Sequence, residues 1–359
     1  MEKALQKHYR KTIVIMISLL IGINNLTGCA ITNTLTKRYF SRIDRRDNFS
    51  MLLTYDDVKA DLPRREIAFF SGPNELVGAV YGNAETIGLV VIVHGHGGDM
   101  DTYIPVIKFL VQNNWSVMAY NGTGVNDSGG ESRNNLFQAV PDLLAALRYI
   151  KNDVQLGNLP LVLFGHSQGG FAVCSVLNYA ESANVKAVVS FAGMNRTKDI
   201  VDKYGRRAAG IFYPLLRPFL DDTDFTSGVN QSAINGINST DIPIMLVQGA
   251  EDKTVLPDSE AITHFMDDIL NTNVKTVILS DEWNSGHHSI FWSKDTYIYR
   301  NELNSSLELY REAHNIDVLT DNDLRSWAYE NQLDRVRANG LNMCLFDQIN
   351  KFLLNAIID

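Results

Sequence analysis

Cysteine is scarce in this chain, with three residues in 359. Cys174 falls on a predicted helix seven residues after Ser167, a setting for a buried free thiol rather than a disulfide. Long basic runs are absent and the formal charge is −9. That excludes nucleic acid as the main partner, because phosphate binding needs a positive face. Neither G-K-[ST] nor G-x-G-x-x-G occurs, so no phosphate-cradling loop and no cofactor is expected. No internal repeat or low-complexity tract is visible. Charged residues make up 20% of the chain against 45% hydrophobic, which excludes a disordered chain and allows a large buried core.

What the chain does have is the stretch Leu159 to Gly170, Leu-Pro-Leu-Val-Leu-Phe-Gly-His-Ser-Gln-Gly-Gly. An apolar run enters Gly165-His166-Ser167-Gln168-Gly169, and a helical pattern with Phe171, Val173, Cys174, Val176 and Leu177 follows. This is a G-x-S-x-G elbow in its required strand, turn and helix context. The serine must sit on a strained turn to hold its hydroxyl clear of the sheet. Side chains at 165 and 169 would then collide with neighbouring backbone.

The rest of the chain frames this stretch. Arg65 to Phe70 and Glu75 to Tyr81 read as strands joined by the turn Ser71-Gly72-Pro73-Asn74. Ile87 to Val93 is an unbroken apolar run suited to a strand buried on both faces, and it ends in His94-Gly95-His96-Gly97-Gly98-Asp99. A helix (about Tyr103 to Gln112), a strand (Trp115 to Tyr120), a glycine-rich loop (Asn121 to Gly130) and a helix (about Leu136 to Lys151) precede the elbow. After it come strands at Lys186 to Phe191, Ile242 to Val247 and Val274 to Leu279, with a helix predicted at about Ser259 to Leu270. This alternation predicts a mostly parallel sheet covered on both faces. Met194 to Asp241 interrupts the rhythm with an apolar cluster around Ile211, Phe212, Tyr213, Leu215, Leu216 and Phe219. Helices are predicted at Thr296 to Glu312, Leu324 to Ala338 and Asn342 to Ile357.

A serine hydroxyl is a poor nucleophile at neutral pH. It needs a base, and the base needs a partner that fixes its tautomer. In elbow enzymes the acid and then the histidine follow the serine, each in a loop after a strand. Gln248-Gly249-Ala250-Glu251-Asp252 and Gly286-His287-His288 occupy those places, so the order Ser167, Asp252, His287 fits. Glu251 is the rival for the acid and His288 for the base. His94-x-His96 followed by Asp99 also invites a metal reading, but no third histidine follows in register. No metal is expected; the glycines suit a loop whose amides approach an oxyanion, and the His94 side chain is read as structural.

On these residues, the stretch from about Arg65 to Trp292 resembles the α/β-hydrolase superfamily, in particular its serine esterases and serine aminopeptidases. Four motifs carry the resemblance: His94-Gly95-His96-Gly97, the loop Gly122 to Gly130, the elbow, and Gly249-x-x-Asp252 with Gly286-His287. It implies an α/β-hydrolase fold over residues 51–359, a mostly parallel central sheet with helices on both faces. A small cap insertion at about 194–241 and helices at about 293–359 complete it. It implies Ser167 as nucleophile, His287 as general base and Asp252 as orienting acid. It further implies an oxyanion hole from the backbone amides of His96 and Gln168. The implied activity is cleavage of a carboxylic ester through an acyl-enzyme. A peptidase acting on short peptides is the alternative, because the same triad attacks amides. A noncatalytic binding lipoprotein on the same fold is a third reading. The cap's apolar cluster either lines a substrate pocket or buries its own helix face.

The first residues read as an address. Lys3, Lys7, Arg10 and Lys11 precede the apolar stretch Thr12 to Ile23, and Leu26-Thr27-Gly28-Cys29 resembles the lipobox of bacterial lipoproteins. That resemblance implies cleavage after residue 28 and a lipid on Cys29. An apolar run this short does not span a bilayer, which needs about 20 residues. Removing residues 1–28 takes four of the 32 basic and one of the 41 acidic residues, leaving a net charge of −12. Residues 29–50 are expected to form a tether. Its Lys37, Arg38, Arg42, Arg45 and Arg46 either meet anionic headgroups, at about 1 kcal/mol per charge, or lie in a solvated linker. The chain is thus expected to be lipid-anchored in the bacterial envelope, outside the cytoplasm.

Overall fold

The computed structural model describes residues 40–45, 49–82, 85–210, 213–214 and 231–358. The signal peptide, Cys29 and most of the tether lie outside these residues, as does most of the apolar cluster of the cap. Among the described residues no helix is long and apolar enough to cross a membrane.

Eight strands form one sheet: β1 (Arg64–Ser71), β2 (Asn74–Tyr81), β3 (Leu89–Val93), β4 (Ser116–Tyr120), β5 (Leu161–His166), β6 (Val185–Phe191), β7 (Ile244–Gly249) and β8 (Val274–Leu279). Their order is β1-β2-β4-β3-β5-β6-β7-β8. The β1/β2 hairpin and the β2/β4 pair are antiparallel. All other pairs are parallel.

Every residue of β3, β4, β5 and β7 is buried, because helices cover both faces. Successive side chains point to opposite faces, and the two cores divide accordingly. Leu89, Val91 and Val93 of β3 join one core, with Leu161 and Leu163 of β5. Val90 and Ile92 join the other, with Val162 and Phe164. The first core is closed by α3 (Ala139–Asn152), α4 (Gln168–Ser175) and α6 (Ala233–Ile237). On α3 the stripe Val140, Leu143, Leu147 and Ile150 has helical spacing and faces the sheet. The second core is closed by α2 (Ile104–Gln112) and α9 (Met343–Ile358), which follow the short α1 (Tyr55–Val58) and the chain's other helices.

The C-terminal extension therefore splits. Helix α9 belongs to the main body, whereas α7 (Lys294–Ala313) and α8 (Asp321–Glu330) pack on a small separate cluster of Leu303, Trp327 and Ala338. Helix α8 is shorter than expected. It starts at a capping box between Thr320 and Asp323 and stops at Asn331, after which Gln332 takes a positive φ of 49°.

The segment expected to be a helix at about Ser259 to Leu270 is instead a 3₁₀ stretch, Ile262–Asp268, broken at Phe265. The cause lies in its first turn. Glu260 O accepts from Asn195 N at 2.9 Å and Ile262 N donates to Gly193 O at 2.9 Å, so backbone groups that would start a helix are bridged to the chain leaving β6. That chain leads into α5 (Thr197–Ala209).

The described end of the expected tether is not loose. Ser41 and Ile43 form bridges to Ser132 and Val125, and Phe40 is buried in the first core. Arg42 donates to the carbonyls of Ser128 at 2.7 Å, Gly130 at 2.9 Å and Asn126. Its charge is taken up by the glycine-rich loop.

Candidate active site

Strand β5 runs through His166 and α4 begins at Gln168, so Ser167 bears the whole change of direction. It does so at φ 56° and ψ −115°, a costly conformation for a residue with a Cβ. The flanking glycines relieve what would otherwise be overlap. A Cβ at Gly165 would strike the Gly169 carbonyl, and one at Gly169 the carbonyl of Val93. The turn is pinned by Ser167 N–H donating to Phe191 O at 2.8 Å. Gln168 is the first residue of α4, so its N–H has no acceptor within the helix; its side-chain amide donates to Leu136 O at 2.9 Å.

The loop after β7 carries Asp252, and the loop after β8 carries His287. His287 Nδ1 and Asp252 Oδ2 are 2.7 Å apart, with exposures of only 8% and 2%. The second carboxylate oxygen accepts from Thr254 N at 2.8 Å and Val255 N at 2.9 Å, and Gln248 Nε2 donates to Oδ2 at 3.1 Å. Burial pushes the Asp252 carboxyl up, but the hydrogen bond and charge of His287, with those backbone amides, outweigh it and hold it below its ordinary value. An ionised Asp252 can accept a hydrogen bond from the Nδ1–H of His287, which fixes the orientation of the ring. Ser167, 6% exposed, shares with His287 the walls of two cavities.

The two rivals stand differently. Glu251 is exposed, and its backbone N–H donates to Ser285 O at 2.9 Å. His288 is exposed and packs edge-on against the His287 ring, with centroids 4.9 Å apart.

The loop after β3 closes over the elbow. A Cβ at Gly95 would lie 3.2 Å from both His166 O and Ser167 Cβ, which brings the following residue, His96, onto the walls of both cavities. His94 is tied to backbone: Nε2 accepts from Gly122 N at 2.9 Å, so Nδ1 donates to Gly95 O at 2.9 Å. Burial lowers its pKa. The His96 ring meets Arg133 Nη1 at 3.0 Å, and Asp99 accepts from Thr102 N–H and hydroxyl at 2.9 and 2.8 Å.

The sequence reading missed a relay through His166. The Tyr103 hydroxyl accepts from Gly95 N–H at 3.0 Å and donates to His166 Nδ1 at 2.9 Å. The ring's other nitrogen, Nε2, is then protonated and donates to His287 O at 3.0 Å. Burial, with the neighbouring His287 and His288, drives the His166 pKa well below its ordinary value. A neutral imidazole thus ties the glycine loop, the elbow and the backbone of His287 together. Nothing in the sequence spacing marks Tyr103, which reads there only as the start of a helix. Elsewhere, Cys174 is a buried free thiol whose pKa burial pushes up to about 12.

The smaller cavity, about 270 Å³, is walled by Phe40, Leu136, Met194, Ile200, Val201 and Tyr204. The larger, about 620 Å³, extends under α7 and α8 past Arg300, Leu307 and Trp327.

Known proteins resemble parts of the chain. Residues 84–235 match the family described as serine aminopeptidase, S33. The uncharacterized protein YfhR of Salmonella typhi is 26% identical over 188 residues, covering 49% of this chain and 58% of that protein. A putative esterase/lipase 2 from Mycoplasma pneumoniae is 30% identical over 118 residues, covering 32% of this chain and 40% of its own. These matches span well under two thirds of the relatives' lengths. Among solved structures, the esterase Pf2001 of Pyrococcus furiosus superposes with a TM-score of 0.52 at 17% identity, covering 76% of this chain and 98% of that one. The α/β hydrolase GrgF from Penicillium sp. sh18 gives 0.51 at 15%, covering 67% and 97%. The chain has the α/β-hydrolase fold, with a helical C-terminal region, and its similarities are to hydrolases of the esterase and lipase type.

Proposed function

We propose that the protein is a serine hydrolase that cleaves a carboxylic ester. The observation that supports this best is the buried 2.7 Å contact between His287 and Asp252, in a pocket that both His287 and the strained Ser167 line. In the proposed reaction Ser167 Oγ attacks the ester carbonyl carbon as His287 Nε2 takes the hydroxyl proton. The backbone N–H groups of His96 and Gln168 receive the oxyanion. The intermediate expels the alcohol with the proton from His287, leaving an acyl-Ser167. Water, deprotonated by His287, then releases the acid and restores the serine. No cofactor or metal takes part in this scheme.

Amide cleavage is the second reading, favoured by the match of residues 84–235 to serine aminopeptidases. Labelling with a fluorophosphonate probe, followed by rates on an ester chain-length series and on aminoacyl arylamides, tests both. Esters hydrolysed faster than arylamides by wild type, with labelling lost in Ser167→Ala, is the expected result. Labelling of Ser167→Ala at the wild-type rate would reject the nucleophile.

We also propose that the mature chain is lipidated at Cys29 and held on the outer side of a bacterial membrane. From Cys29 to Phe40 the chain runs eleven residues, at most about 40 Å when fully extended, so the docked Phe40 would keep the cavities near the bilayer. Two acyl chains, at about 0.8 kcal/mol per buried methylene, suffice for stable attachment. Metabolic labelling with a palmitate analogue should mark the wild type, and label persisting in Cys29→Ser would sink the anchor.

A further inference from the structure

The larger cavity has an unusual charge pattern. In a chain of net charge −9, the described walls include Arg45 and Arg300 and no aspartate or glutamate. Two other partly buried cations are paired with acids, Lys203 with Glu260 at 2.8 Å and Arg64 with Glu66 at 3.0 Å. Arg300, half-buried on α7, has only neutral partners among the described residues. Its Nε donates to Ala338 O at 2.6 Å, Nη2 donates to Asn339 Oδ1 at 3.1 Å, and the guanidinium lies 4.3 Å over the Trp292 ring. Burial lowers its pKa to about 10, so it stays cationic at neutral pH. A desolvated guanidinium without a carboxylate is costly in a resting fold. The cost is recovered when a ligand supplies the anion.

The geometry leaves the right edge open. With Nε and one N–H of Nη2 engaged by the protein, Nη1 and the second N–H of Nη2 remain, a pair spaced to meet both oxygens of a carboxylate. Ser167, His287 and His288 line the same cavity, and the apolar cavity opens from the same three residues. We propose that the larger cavity is an anion subsite in which Arg300 receives a carboxylate on one arm of the substrate, while an apolar arm occupies the smaller cavity. This rests on the reading of Ser167 as the nucleophile of an esterase and adds to it the substrate class, a carboxylate-bearing ester with an apolar tail.

Matched ester pairs test it on the full-length protein in detergent. One pair places the charge on the alcohol arm, hexanoate esters of 4-hydroxybenzoate and of methyl 4-hydroxybenzoate. The other places it on the acyl arm, phenyl hemisuccinate and phenyl methyl succinate. Binding of benzoate and benzamide to Ser167→Ala, measured by calorimetry, supplies a readout without turnover. Wild type should prefer the charged member of one pair by roughly 10- to 100-fold in kcat/KM, the range for a charge-assisted contact. The ratio should fall to near 1 in Arg300→Gln and recover in part in Arg300→Lys. Because the ratio is internal to each variant, a partly folded preparation scales both members equally. Benzoate should bind Ser167→Ala more tightly than benzamide, and lose that margin when Arg300→Gln is added. Ester hydrolysis with no preference in either pair, or a preference that survives Arg300→Gln, overturns the subsite and leaves the esterase standing. Arg300-dependent benzoate binding with no ester hydrolysis supports the subsite and removes the esterase.

Discussion

The two cavities that meet at Ser167 and His287 are walled by different kinds of structure. Phe40, Leu136, Met194, Ile200 and Val255, which close the smaller one, belong to the main core beneath the sheet. The larger is closed by Leu307, Leu324 and Trp327, on helices that pack around a small cluster of their own. A change in the smaller wall is therefore felt by the main core, whereas a change at Leu307, Leu324 or Trp327 in the larger stays local; Tyr103 and Val106 of that wall belong to the second core. The corner they share is fixed by the sheet itself, since β5, β7 and β8 each deliver one of Ser167, Asp252 and His287.

Breaking the shared corner should have the largest effect. Ser167→Ala and His287→Ala should each lower kcat by about 10⁴- to 10⁶-fold, and Asp252→Asn by about 10⁴-fold through the wrong His287 tautomer, with the circular dichroism spectrum kept. Glu251→Gln and His288→Ala should change turnover by less than about tenfold. A His288→Ala protein as inactive as His287→Ala would exchange the two histidines.

Phe40→Ala attacks the smaller wall where it joins the core. Emptying a buried phenylalanine site costs about 3–5 kcal/mol, so the denaturation midpoint should fall markedly, and rates on long-chain esters should drop more than those on acetate. Trp327→Ala is the matching probe of the other wall, expected to loosen α7 and α8, seen as faster amide exchange there, with less effect on exchange in the central strands. Equal loss of protection in both regions would show that the walls are not independent.

Tyr103→Phe sharpens the comparison by removing one hydroxyl from the larger cavity's wall, leaving the smaller wall intact, and cutting the link behind the corner. It strands His166 Nδ1 and Gly95 N–H in a buried setting, at about 1–3 kcal/mol, and frees both the glycine loop and the His287 backbone from their common anchor. Turnover should fall about tenfold with a small change in KM. A variant with lowered stability but wild-type kcat would make Tyr103 purely structural.

The smallest effect is on stability against pH. Half-buried His94 and buried His166 have pKa values that desolvation holds below the ordinary 6.5, so below about pH 6.5 the unfolded chain binds protons that the folded chain refuses. Their contribution is complete above that pH and is lost progressively as pH falls. The depressed Asp252 carboxyl adds a further loss only below its ordinary value of 3.8. Thermal midpoints should decline from pH 7 to pH 5, and a flat profile over that range would show that the fold does not hold these histidines neutral.

Local chemistry made much of this legible. Apolar runs such as Leu89–Val93 read as strands because burial on both faces leaves no polar positions, and Gly165 and Gly169 read as an elbow because only glycine fits there. The helix expected after Ser259 failed for a long-range reason, since Asn195 and Gly193, more than sixty residues away, take the hydrogen bonds its first turn needs. The tether's Arg42, taken for a membrane or solvent contact, is spent on carbonyls of the glycine-rich loop.

By itself the sequence determined the layering of the sheet and the strained serine turn, because each depends on periodicity and steric fit within a few residues. Tertiary structure alone decided that Asp252 and not Glu251 faces His287. It also decided that Tyr103 and His166 join the glycine loop to His287, and that Arg300 reaches the cavity from a distant helix. Those are matters of which side chains the packed sheet and helices bring within 3 Å of one another, and no local spacing encodes them.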